Sequence, residues 1–218
     1  DVRNANDGIS MIQTAEGGLN EIQNILIRLR ELSVQAASDT IGPVERQFLN
    51  VEYDQLVSEV DRIADSTEFN GTPLLAGTGS ILDFQIGTRN DPNIDRLSFD
   101  ASKADANSAA LGVNLTSVAD KISAQNSLSA IDQAIVNVSA MRADFGAIQN
   151  RLQSTISNLN VAMENMSAAN SRIRDVDVAE ETSEFTRNNI LLNAGTSVLA
   201  QANQSQQTAL TLLNKSFS

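Results

Sequence analysis

Four groups of residues in this 218-residue chain combine types that could do chemistry. Asp175/Asp177 and Glu180/Glu181 are paired carboxylates, the residue type used for general acid–base work. Both pairs precede a helical pattern, where acids favour the positive end of the helix dipole, so a structural role is expected. Asp91-Pro92-Asn93-Ile94-Asp95 begins like a calcium loop, with oxygen ligands at alternate positions. Arg96 stands where that loop requires Gly and Ser102 where it requires Glu, so calcium binding is not expected. Gly77-Thr78-Gly79 lacks the third glycine and the following helix of a phosphate cradle and reads as a turn. The fourth group runs from Arg28 to Gln35. Arg28 and Leu32 are i,i+4 neighbours on one helix face, with an Arg–Glu pair beside them. Leu29 and Ala36 fall on the packing seam, which turns Arg28 and Leu32 partly away from it. No catalytic, cofactor or metal residue is assigned.

Composition narrows the field further. With no Cys, His or Trp, the chain excludes thiol and histidine triads, disulfides and Cys/His zinc sites. A net charge of −12 and a pI near 4.3 argue against a nucleic-acid partner. The four Met lie at helical spacings, and nothing in them suggests a cofactor box. The chain opens at Asp1 inside a helical pattern, so a processed chain or, preferably, a fragment is expected.

The elements that hold these residues are mostly helices. Apolar residues recur in a seven-residue pattern over about 2–37 (Ile12, Ala15, Leu19, Ile22, Leu26, Leu29, Ala36), with Ser33 the one polar position. Gly17-Gly18 weakens this helix. Pro43 opens a second helix, about 43–65, with Leu49, Tyr53, Leu56, Val60 and Ile63 on one face. Turn residues then mark a β-containing middle, about 70–115, with strands at 81–86 and 94–99 and irregular chain from 101. A third helix, about 127–172, carries a seam of Leu128, Ile131, Ile135, Val138, Phe145, Leu152, Ile156, Leu159, Met163, Met166 and Ile173, interrupted by Arg142, Gln149 and Asn170. The fold class expected is mainly α: an elongated antiparallel helical bundle or coiled-coil rod with a small β-hairpin at its tip and a C-terminal amphipathic arm. A rod-shaped core over 1–174 and an arm over 175–218 are the expected domains.

That arm is the most unusual stretch. Asn188–Asn214 has no charged side chain, where an overall charged fraction of 19% leads one to expect about five. Asn and Gln interrupt it, so it is no membrane span. At helical spacing, Leu191, Ala194, Val198, Ala202, Ser205, Ala209 and Leu212 form one stripe, and Leu192, Leu199 and Leu213 a neighbouring one. Such a helix suits packing against other helices.

Several segments resemble bacterial flagellin: RNANDGISMIQTAEGGLNEI at 3–22, LRELSVQAA at 29–37, EFNGTPLL at 68–75, FGAIQNRLQSTISNL at 145–159 and AGTSVLAQANQ at 194–204. The resemblance implies a secreted structural subunit that self-assembles into the flagellar filament for motility, not an enzyme. It also implies export through the flagellar type III system with a chaperone, and contacts with filament cap and junction proteins. Inner-tube or chaperone contacts then fall on Phe185, Ile190, Leu191, Leu192, Val198, Leu199, Ala202, Leu210, Leu212 and Leu213. Filament contact or recognition by Toll-like receptor 5 falls on Arg28, Arg30, Leu32, Gln35 and Glu52. Against the family pattern, the N-terminal inner-tube helix and large outer domains are absent from this sequence; the lack of that helix is expected to cripple polymerisation and leave the arm without its partner. The alternatives are a hook–filament junction protein, which shares the terminal helices, and a stalked carbohydrate-binding or enzymatic module, for which the middle offers only about 35 residues.

Overall fold

The structure, a computed structural model, describes residues 2–174 and 178–216, with side-chain surroundings through residue 212; Asp175, Asp177 and the side chain of Leu213 lie outside the described residues. It is mainly helical, with two short antiparallel strand pairs. The chain divides within its longest helix into two compact units, Asp1–Ala162 and Met163–Ser218.

In the first unit, α1 (Val2–Ala36) supplies the central stripe. Ala5, Ile12, Leu19, Leu26 and Ser33 alternate with Gly8, Ala15, Ile22, Leu29 and Ala36 in an unbroken heptad pattern, and all are buried. Ser33, the polar member, donates its Oγ hydrogen to Leu29 O at 2.9 Å, so its burial leaves no orphan group. Met11 and Leu32 are buried as well, one residue before the a position of their heptads. The stripe is widened because α1 packs against more than one neighbour.

A turn leads to α2 (Pro43–Ser66), which begins with proline in its first turn. Arg46 reaches back to close the end of α1, donating from Nε to Ala36 O at 2.7 Å and from Nη2 to Ser38 O at 2.8 Å. The Ala36 carbonyl has no partner within the helix ladder, and the guanidinium supplies one. Tyr53, Val60 and Ala64 bury against α1, with Leu49, Leu56 and Ile63 half-buried beside them.

Past α2, β1 (Glu68–Phe69) and β2 (Thr72–Pro73) form a minimal hairpin, and Leu74 and Leu75 that follow are fully buried. A second hairpin pairs β3 (Ile81–Gln85) with β4 (Arg96–Asp100), setting Leu82 opposite Phe99 and Phe84 opposite Leu97. This hairpin packs against the first turns of α1: Asn4 Nδ2 donates to Gln85 O at 3.0 Å. A Cβ at Gly8 would sit 3.1 Å from the Phe84 ring and 3.2 Å from Leu152, so the missing side chain admits the sheet. Phe99 meets Phe145 edge-on, centroids 5.2 Å apart. The irregular stretch after β4 contains one short helix, α3 (Ser108–Leu111), held by Asp61, which accepts from Ser108 N at 2.7 Å and Ser108 Oγ at 2.8 Å.

The next helix, α4 (Lys121–Arg174), starts six residues before the expected 127. Asp120 is its cap, accepting from Ser123 N at 2.9 Å and Ser123 Oγ at 2.7 Å. Its seam also differs from the one expected. Ala124, Ile131, Val138, Phe145 and Leu152 are buried, but the alternate positions are Ser127 and Ala134, followed by half-buried Met141 and Ile148. Leu128 and Ile135 are only half-buried, and Arg142 and Gln149 lie beside the seam rather than in it. Arg142 contacts Gln23 and Glu16 on α1. From Met163 the second unit begins, and Met163, Met166 and Ile173, read as seam residues, are exposed. Its remaining helix, α5 (Val178–Ser216), covers the charge-free stretch.

Candidate interaction surfaces

Two surfaces gather the residues singled out in the sequence. On the first unit, Arg28 of α1 donates from Nε to Glu52 Oε1 of α2 at 2.9 Å and from Nη1 to Glu31 Oε2 at 3.0 Å. Hydrogen bonding to Glu52 and then Glu31 raises the Arg28 pKa, so the guanidinium is a fixed cation at any working pH. Arg30 points to the other neighbour, donating from Nε to Asp132 Oδ1 of α4 at 2.7 Å. Gln35 is exposed near them, as are Ile27 and Val34. Arg30 and Gln35 line a shallow groove with Ile27, Glu31 and Val34.

Leu32 does not belong to this face. It was expected partly outward beside Arg28, yet it is fully buried in the core. The seam at Leu29 and Ala36 accounts for one neighbour of α1 only. The other neighbour claims the adjacent position, and Leu32 fills it.

The second surface is α5. All of its side chains described between Val178 and Leu212 are exposed. Phe185, Ile190, Leu191, Leu192, Val198, Leu199, Leu210 and Leu212 each show 62–68% of their surface, and Ala202 is exposed on the same helix. Burying such side chains is worth about 1.5–3 kcal/mol apiece for the large ones. An isolated helix in water lacks that contribution and is marginal.

Two features were not singled out from the sequence. Asp132, the partner of Arg30, is 102 residues away and carries no local signal. Val44, Phe48 and Val51 form an exposed i, i+4, i+7 stripe on α2. Their spacing was readable, since it falls off the Tyr53 face. Among the described residues no acidic cluster is arranged to hold a metal ion, and no helix is long and apolar enough to cross a membrane.

Fold and surfaces together define a mainly α protein whose distinguishing features are long helix faces rather than a pocket. Comparison with known proteins makes the assignment specific. Residues 1–80 match the bacterial flagellin N-terminal helical region, and residues 128–213 match the C-terminal helical region. A flagellin of Halalkalibacterium halodurans is 46% identical over 211 residues, covering 97% of this chain and 76% of that protein. The flagellar filament 33 kDa core protein of Treponema phagedenis is 42% identical, covering 96% and 77% respectively. The crystal structure of Bacillus cereus flagellin superposes with a TM-score of 0.64 at 33% identity, over 78% of this chain and 95% of that one. The chain belongs to the bacterial flagellin family.

Proposed function

We propose that this chain is a structural subunit that packs with copies of itself in the flagellar filament, outside the cell, and serves motility. The observation that carries this reading is α5: a long helix, uncharged from Asn188 to Asn214, with its described apolar side chains in water. Burial of such a helix in an oligomer leaves no charge unpaired and recovers the apolar surface. The core unit then makes lateral contacts while the C-terminal segment, 175–218, forms the inner arm. Family membership and the likeness to a filament core protein support this reading over a junction protein or an enzyme.

Before assembly the same helix needs a cover. A helical export chaperone that takes α5 into a groove is the partner that fits an amphipathic helix uncharged from Asn188 to Asn214. Passage through the flagellar type III export system, and contact with cap and junction proteins at the filament ends, belong to the same reading. The Arg28–Glu52 face, with Arg30 and Gln35, is assigned to filament contact and to recognition by Toll-like receptor 5. Leu32 supports that face from beneath.

Leu192→Asp with Leu199→Asp tests the assembly role. With a flagellin N-terminal inner-tube helix supplied, electron microscopy of samples seeded with filament fragments should show incorporation of the otherwise unaltered chain and none of the variant, and calorimetry should show chaperone binding lost. Undiminished incorporation by the variant would refute the role given to α5. For the receptor, Arg28→Ala and Glu52→Ala should weaken binding without changing the unfolding midpoint. Unchanged binding would remove that assignment.

A further inference from the structure

Among the described residues, one non-glycine residue has a positive φ: Asn70, at 50°. Gly71 follows at 75°. Together they form the two-residue turn between Phe69 and Thr72, which pair across the hairpin. Positive φ at both central residues is the type I′ turn, and Asn-Gly is the sequence that favours it. The same dipeptide carries a chemical consequence. The carboxamide carbon of an asparagine lies within reach of the next residue's backbone nitrogen. Only glycine leaves that nitrogen unhindered on the side-chain side.

We propose that Asn70 is a modification site, at which the chain deamidates spontaneously through a succinimide. The Gly71 nitrogen, losing its proton to solvent base, attacks Asn70 Cγ. The new N–Cγ bond closes a five-membered ring, and the side-chain nitrogen leaves as ammonia. Water then opens the ring at either carbonyl, giving aspartate or isoaspartate. No oxidant or cofactor enters. Three observations single out this position. Asn70-Gly71 is the only Asn-Gly in the chain. Both residues are exposed, and a Cβ at Gly71 would meet nothing within 4 Å. The hairpin comprises just two residue pairs, so the local opening that lets the backbone rotate into line for attack disturbs little structure.

The two products differ in effect. Aspartate retains Asp-Gly, another type I′ sequence, and adds one negative charge to a chain already at −12. Isoaspartate routes the main chain through the side chain and adds a backbone atom between Phe69 and Thr72. That insertion is incompatible with their register and pulls on Leu74 and Leu75, which are fully buried just beyond. The turn is therefore a slow, irreversible clock placed where α2 hands over to the sheet region.

Incubation of the folded chain at mildly alkaline pH and 37 °C, followed by peptide mass mapping and enzymatic isoaspartate assay, tests the proposal. Asn107-Ser108, Asn126-Ser127 and Asn170-Ser171 are internal comparators. Asn70 should be modified first, faster than any of these by about tenfold or more, as befits a thermolabile Asn. Asn70→Gly, which preserves a turn that accepts positive φ, should abolish the isoaspartate signal while circular dichroism stays unchanged. Modification of the comparators at a rate equal to Asn70, or an undiminished isoaspartate signal in Asn70→Gly, would overturn it.

Discussion

The guanidinium of Arg28 on α1 is held by the carboxylate of Glu52 on α2, 24 residues away, at 2.9 Å from Nε and 2.8 Å from Nη2. Both side chains remain about half exposed, so the pair ties two helices together while keeping a charged face toward solvent. An exposed pair of this kind is screened by solvent and contributes little to stability. Leu32, one turn along the same helix, is fully buried. Arg28→Ala should therefore leave the unfolding free energy almost unchanged. Leu32→Ala should lower it by about 2–5 kcal/mol. Denaturant titrations of the two variants check this. Equal effects would mean that Leu32 is not part of the core.

Adjacent glycines on α1 should respond in opposite directions. A Cβ at Gly17 meets nothing within 4 Å, so Gly17→Ala should stabilise by about 0.5–1 kcal/mol through helix propensity. At Gly18 the same Cβ would lie 2.6 Å from Thr67 Oγ1 and 2.8 Å from Leu75 Cδ1. Thr67 is committed to Ile63 O at 2.6 Å and Leu75 is fully buried, so neither moves freely. Overpacking costs of about 1–3 kcal/mol exceed the propensity gain, and Gly18→Ala should destabilise. Thermal unfolding of both variants decides the signs.

Tyr53 is the single tyrosine of a chain without tryptophan, so its ionisation can be followed directly by absorbance. Burial raises its pKa, and its hydroxyl donates to Thr116 Oγ1 at 2.6 Å. The folded value lies above the ordinary value of about 10. The stability linked to it is therefore complete below that pH and is lost as pH rises through the folded value. Tyrosinate absorbance should appear together with alkaline unfolding, and Tyr53→Phe should flatten the pH dependence above about 10. Ionisation at the ordinary pKa in a still-folded chain would contradict the burial.

What the sequence showed and what it hid follow from the range of the interactions involved. The heptads of α1 and the proline at the start of α2 are local signals, and both helices fall within a residue or two of expectation. The start of α4 is hidden because Ser123, Asn126 and Ser127 crowd its first two turns, although Asp120 with Ser123 is a legible cap. Its seam was misphased for a related reason. Small residues, Ser127 and Ala134, fill the positions where larger Leu128 and Ile135 seemed natural candidates. Ser127 is held by the preceding loop, its Oγ donating to Ser117 O at 3.0 Å, and size alone misleads there. Leu32 needed knowledge of a second neighbour for α1, and Asp132 needed the tertiary fold. The exposure of α5 was foreshadowed by the lack of charge from Asn188 to Asn214, which signals burial in something outside the chain's own core.

Hydrogen exchange along the chain, compared between the isolated subunit and the assembled filament, tests whether α5 is completed by other helices. In the isolated subunit, amides around Leu19, Leu26, Tyr53 and Val138 should exchange slowly and those of 188–212 rapidly. In the filament the 188–212 amides should become protected as well. Protection of 188–212 in the isolated subunit equal to that of the core, or continued rapid exchange in the filament, would contradict the account.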